Sequence, residues 1–182
     1  GIAIGKLQIL SRAEDALKQA RLKNCDWFMS NEKEEAIHVQ NFQMLHTLKQ
    51  AIENDRIVPF YQAVVNLKTG RITKYESLMR LVNEQGKIYT PYFFLEVAKK
   101  SKYYATLTRI MIEKTFRDFQ DRDEGIAINL SVEDIEDSET VEFLKNAVVG
   151  FPEPSRITFE LTETEAIKDY QMITTFIKEV KM

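Results

Sequence analysis

Cysteine is almost missing from this 182-residue chain. Cys25 stands by itself, so no internal disulfide can form and a reducing compartment is expected. A cysteine cluster for zinc is missing too. The histidines number two, His38 and His46, eight positions apart on an expected helix. A pair so placed closes no metal site and reads as surface or linker histidines. Long hydrophobic runs are also lacking. None approaches the roughly 20 apolar residues of a membrane-spanning helix. The opening Gly1-Ile2-Ala3-Ile4-Gly5 has no basic segment ahead of it, so no secretory signal is expected. The expected location is cytoplasmic, with membrane attachment of a longer parent through another region left open. Positive charge is in short supply as well. The net charge is −3, with residues 1–50 at +1 and the remainder at −4. That balance lacks the basic excess of a protein that grips a nucleic-acid polymer. A small phosphorylated ligand is still compatible with it if metal ions supply the positive charge.

What the chain does have is the composition of a folded protein, 44% hydrophobic and 29% charged. Gly1–Gly5 reads as a strand of small residues. A helix is expected over Ser11–Lys23, with Ser11 as N-cap, Glu14 as its capping-box partner, and Ala13, Ala16, Leu17 and Ala20 as the apolar face. A strand at Cys25–Met29 follows. This strand–helix–strand piece is too small to fold alone and reads as the end of another domain. Asn31–Asn54 has a helical period with Phe42, Leu45, Leu48 and Ile52 on one side, and reads as a linker helix. The expected division is therefore 1–30, 31–54 and 55–182.

From Arg56 the pattern turns to strands. Ile57–Val65 and Arg71–Leu81 flank the turn Asn66-Leu67-Lys68-Thr69-Gly70, which predicts an antiparallel hairpin. A loop at Asn83–Tyr89 leads to helices over about Pro91–Lys100 and Tyr103–Phe119, with Pro91 at the first helical position. Ile126–Leu130 and Ile157–Leu161 are short apolar strands, and helices are expected over Ser138–Val149 and Tyr170–Lys181. Strands separated by helices imply parallel pairing. Four such strands fit part of a barrel or part of a doubly wound sheet.

The strands carry polar side chains near their C-terminal ends: Glu76, Asn129, and Glu160 with Glu163. In parallel α/β folds those ends build active sites. Two carboxylates and an amide suit a hard cation, magnesium or manganese. The same side chains could equally cap helices or face solvent.

Four motifs in order carry a family resemblance. They are Tyr61-Gln62 with the turn that follows; Tyr75-Glu76-Ser77-Leu78-Met79-Arg80; Asn129-Leu130-Ser131; and Phe159-Glu160-Leu161-Thr162-Glu163-Thr164. Thr90-Pro91-Tyr92-Phe93-Phe94 followed by Ala98 adds to them. Over about residues 41–182 the chain resembles the first half of an EAL domain, the cyclic di-GMP phosphodiesterase family. Residues 1–30 are similar to the C-terminal tail of a GGDEF domain, without its signature motif.

The resemblance implies an α/β fold: an incomplete (β/α)8 barrel of about four strands, the first antiparallel, behind a strand–helix–strand remnant of an α+β GGDEF domain. It implies Glu76, Asn129 and Glu160 as metal ligands for Mg2+ or Mn2+. Gln62 and Arg80 would contact the substrate, and Glu163 would support the ligands from behind. Ser77 stands where the family has alanine, and Ala63 where proline is common; neither change removes a ligand. The family's paired aspartates, its lysine and its later glutamate and glutamine would lie beyond Met182. No general base is therefore assigned here, and this stretch alone is expected to be inactive. The implied reaction is hydrolysis of cyclic di-GMP to linear pGpG by a bacterial signalling protein. An upstream sensory or GGDEF domain and a homodimer through the EAL domain are the implied partners. The alternative is an inactive EAL domain that serves as a cyclic di-GMP receptor or a protein-interaction module.

Overall fold

The computed structural model describes residues 9–22, 32–161 and 170–180. The strands expected at Gly1–Gly5 and Cys25–Met29 lie outside them. The chain divides into two compact units, Gly1–His46 and Thr47–Met182. In the first, helix α1 (Ile9–Leu22) buries Ala16 and Ala20. Ser11 is not its N-cap, because the helix already begins two residues earlier at Ile9. Helix α2 (Glu32–Glu53) starts in this unit and ends in the second. Leu48 and Ala51 are fully buried on it, whereas Phe42, expected on the same apolar side, is 73% exposed.

In the second unit, β1 (Ile57–Val65) and β2 (Ile72–Val82) form the expected antiparallel hairpin, with Gln62 opposite Glu76. The turn closes for local reasons. The Asn66 side-chain oxygen accepts from the Lys68 N–H at 2.9 Å, and Gly70 takes φ 67°, a left-handed value that suits glycine. On its other edge β2 pairs in parallel with β4 (Gly125–Leu130), and β4 with β5 (Ile157–Leu161). The order is β1-β2-β4-β5. The end of the loop expected at Asn83–Tyr89 is a short strand instead, β3 (Ile88–Tyr89), paired with Leu81 and Val82. The cause is length. β2 runs past the last residue that β4 pairs with, and its spare backbone groups take another partner.

Side chains alternate between the faces of a sheet. On one face Tyr61, Tyr75, Ile126, Ile128, Leu130 and Phe159 join the core. The other half of that core comes from α4 (Tyr104–Phe119), α5 (Val132–Glu136), α6 (Ser138–Gly150) and α7 (Tyr170–Val180), through residues such as Ile112, Phe116, Phe119, Ile135, Leu144 and Phe176. The helix α3 (Pro91–Lys99) buries Phe94 and Ala98. The opposite face of the sheet carries the polar residues of the four motifs.

The entry of α2 into the sheet is clasped. Arg56 N–H donates to Ala51 O at 2.7 Å and Asp55 N–H to Ile52 O at 3.3 Å. This is a Schellman cap with Asp55 at φ 56°. The buried Lys114 of α4 donates to Asp55 O at 3.1 Å and Ile57 O at 2.7 Å, and its ammonium lies 2.6 Å from Asp55 Oδ1. A Lys114→Met substitution keeps the stem and leaves the two carbonyls unpaired. It should lower stability by about 1–3 kcal/mol in urea denaturation. An unchanged midpoint would mean that the clasp contributes nothing.

Candidate functional site

The polar face is assembled by register. Glu76 lies opposite Gln62 on β1 and Ala127 on β4. Asn129, two residues beyond Ala127, is on the same face and lies opposite Glu160 on β5. Four residues, one from each of the four motifs, thus share one side of the sheet, away from the helices. Asn129 Nδ2 donates to Glu76 Oε1 at 2.7 Å. Arg80, four residues after Glu76, is again on this side. Its guanidinium lies 5.5 Å from the centre of the Phe60 ring, and its Nη1 donates to Met79 O at 2.8 Å. Glu160 Oε1 accepts from Lys74 Nζ at 2.8 Å, a partner that the strand pattern does not announce. Glu163 lies outside the described residues.

The reverse side of the sheet holds these residues in place. Behind Glu76, the hydroxyls of Ser77 and Thr115 meet at 2.7 Å, both buried. Directly after Asn129 the chain turns into α5, and the Asp134 carboxylate ties that turn down. It accepts from Ser131 N–H at 2.8 Å, from the Tyr104 hydroxyl at 2.9 Å and from the Thr108 hydroxyl at 2.6 Å. A carboxylate that is nearly inaccessible must be satisfied in this way. Sequence reading passed over Tyr104, Thr108 and Asp134. The spacing Ser131-x-x-Asp134 is a helix-start signal that could have found one of them.

Burial pushes the Tyr104 hydroxyl above the ordinary tyrosine range, and the Asp134 charge adds to the effect. Burial also raises Tyr61, which donates to Asp118 Oδ2 at 2.7 Å. For Glu133, burial pushes the carboxyl upward, but the hydrogen bond from Lys99 and others outweigh it and leave it below its usual range.

The donors on the polar face fit a hard cation by type. Glu76 and Glu160 supply carboxylates, and half a turn of the Asn129 amide presents Oδ1 where Nδ2 now stands. Among the described residues no three His, Cys, Asp or Glu side chains cluster as a metal site. Two carboxylates with an amide make a harder donor set than the nitrogen and sulfur ligands usual for zinc.

The EAL domain family model matches residues 45–182. The chain belongs to the EAL domain family. The Bifunctional diguanylate cyclase/cyclic di-GMP phosphodiesterase MucR of Pseudomonas aeruginosa is 29% identical over 137 residues, covering 71% of this chain and 20% of the relative. The Probable cyclic di-GMP phosphodiesterase PdeB of Escherichia coli is 30% identical over 126 residues, covering 66% and 24%. The chain thus spans about a fifth to a quarter of the length of these curated relatives. Among solved structures, the PaMucR phosphodiesterase in complex with c-di-GMP matches with TM-score 0.69 at 27% identity, over 76% of this chain and 59% of that one. The S helix-GGDEF-EAL structure of Vibrio cholerae LapD matches with TM-score 0.68 at 17% identity, over 98% and 44%. The EAL fold of this chain is α/β with a mixed sheet, similar to barrel-like EAL structures.

The lowered Glu133 gives a pH signature. Its folded form holds its proton less tightly than the unfolded form, so its contribution is present above the ordinary glutamate range and is lost as pH falls through the folded value. The stability difference between wild type and Glu133→Gln should be largest near neutrality and shrink as pH falls through and below the ordinary glutamate range. Denaturation midpoints measured across that range test it, and a constant difference would contradict the assignment.

Proposed function

We propose that the whole protein hydrolyses cyclic di-GMP to the linear dinucleotide pGpG, and that Glu76, Asn129 and Glu160 hold the divalent ion for that reaction. The observation that carries this reading is the convergence of the three motif residues on one sheet face, with Asn129 hydrogen-bonded to Glu76 at 2.7 Å. Family membership supports it. Relatives at about this level of similarity bear the name cyclic di-GMP phosphodiesterase, and a matching structure is a c-di-GMP complex.

The roles follow from chemistry and position. A bound Mg2+ or Mn2+ would activate water and stabilise a leaving oxygen. The residues of this chain bind and orient. Arg80 sits at the end of β2 with a planar guanidinium that suits a phosphate oxygen, and Phe60 beneath it limits its tilt. Gln62, exposed on β1 opposite Glu76, can donate and accept toward the same ligand. Glu163, two residues after β5, takes a supporting role. The Asp134 network fixes where Asn129 stands. It acts on position and touches no ligand.

The upstream part is also a proposal. We assign residues 1–30 to the end of a GGDEF domain and 31–54 to a linker helix, followed by the EAL portion from 55. The LapD match supports this, because a structure with GGDEF ahead of EAL covers nearly the whole chain in fold. A homodimer through the EAL domain and a cytoplasmic site of action complete the reading. No helix among the described residues is long and apolar enough to cross a membrane.

Purified whole protein should turn over cyclic di-GMP with magnesium or manganese and lose the activity on chelation. Glu76→Ala should reduce turnover by more than about 100-fold, since even partners behind metal ligands commonly matter by 10–100-fold. Product analysis by chromatography decides the matter. Full activity in the Glu76→Ala protein would remove Glu76 from the site.

A further inference from the structure

Lys74 is the unexplained member of the polar face. It lies two residues before Glu76, hence on the same side of β2, and the parallel register sets it opposite Gly125. The approach there is close. A Cβ on Gly125 would lie 3.2 Å from the Lys74 Cβ. The next residue of β4 on this side is Ala127, and only then comes Asn129. Two small residues in succession leave room for a long side chain to pass over β4. The Lys74 ammonium spans from β2 to β5 and ends 2.8 Å from Glu160 Oε1.

Burial does not demand this pair. The two side chains remain 31% and 41% exposed, so water could satisfy either one. A pair so accessible is held weakly and can be exchanged for a better partner. The carboxylate it occupies is one that the proposed metal site requires. An ammonium and a divalent cation repel each other, so each weakens the other's hold on Glu160.

We propose that Lys74 is a built-in competitor for the metal, and that it sets the affinity of the site. Its ammonium holds Glu160 Oε1 and opposes the hold of the ion on the same carboxylate. The inference rests on the reading of Glu76, Asn129 and Glu160 as ligands. It gives the metal-free site a defined state, with Glu160 already placed on the polar face, and it makes the site demand a higher metal concentration than its ligands alone would.

The test is direct Mn2+ binding to the whole protein, followed by the electron paramagnetic resonance signal of free Mn2+. Lys74→Met, which keeps length and loses charge, should bind Mn2+ about two- to fivefold more tightly, the scale of a weak exposed ion pair. Lys74→Arg should stay near wild type. The gain should vanish when Lys74→Met is combined with Glu160→Gln. Unchanged or weaker binding in Lys74→Met, while Glu76→Gln still lowers affinity, overturns the role of Lys74 and leaves the metal site standing. A gain that survives Glu160→Gln also overturns it, because the effect would then be one of general charge. If no variant alters Mn2+ binding, or none binds it, the ligand reading falls and this inference falls with it.

Discussion

A slip of one residue between β2 and β4 would turn Glu76 into the helices and Ser77 out of them, because side chains alternate on a strand. Everything on the polar face depends on that register. β2 is the strand that three of the others consult: β1 and β3 pair with it antiparallel, and β4 in parallel. Once Glu76 faces Gln62 on one side and Ala127 on the other, the positions of Asn129 and Glu160 follow from β4 and β5 alone. The register is held from behind. Ser77 and Thr115 share a buried hydrogen bond, and Tyr61 and Tyr75 both pack against Phe119, at ring distances of 4.9 and 5.7 Å. A slipped β2 would place a carboxylate against Thr115 and forfeit those contacts, a large cost for a buried charge.

α4 is the element that turns this constraint into a rigid platform. Its Lys114 clasps the start of β1, its Thr115 holds β2, and its Thr108 with Tyr104 anchors the turn after β4. Three strands that contribute to one site are thus fastened to a single helix. A site that must hold ligand atoms to within a fraction of an ångström needs such support from outside the strands.

How much of this was legible varied with the range of the interaction. The hairpin, the order of helices and strands, and the shared polar face could be read because each rests on local patterning: a turn at Asn66–Gly70, apolar strands, and motif residues near strand ends. Interactions that span a long stretch of chain were not legible. Asp134 is secured by Tyr104, 30 residues away, and Lys74 finds Glu160 at a separation of 86. Neither partner is implied by its own neighbourhood. Phe42 shows the opposite failure. Its spacing matches a buried stripe, but spacing cannot tell whether anything is there to cover it. Ser11 has the chemistry of a cap, yet the helix starts at Ile9, since helix formation on both sides of a serine can override its preference.

The polar face is close to balanced in charge. Glu76 and Glu160 stand against Lys74 and Arg80, and the pair between Lys74 and Glu160 cancels one of each. Such a face offers little net attraction to a dinucleotide that carries two phosphates. On the proposed reading, a divalent ion would change the sum in two ways. It would add positive charge beside the phosphates, and by competing for Glu160 it would loosen that carboxylate's hold on the Lys74 ammonium. A loosened lysine would face the same space and favour the anion together with the metal. In the structure the lysine is paired with Glu160. An exchange of partners at a single carboxylate would thereby link metal occupancy to the electrostatic attraction of the site for its ligand.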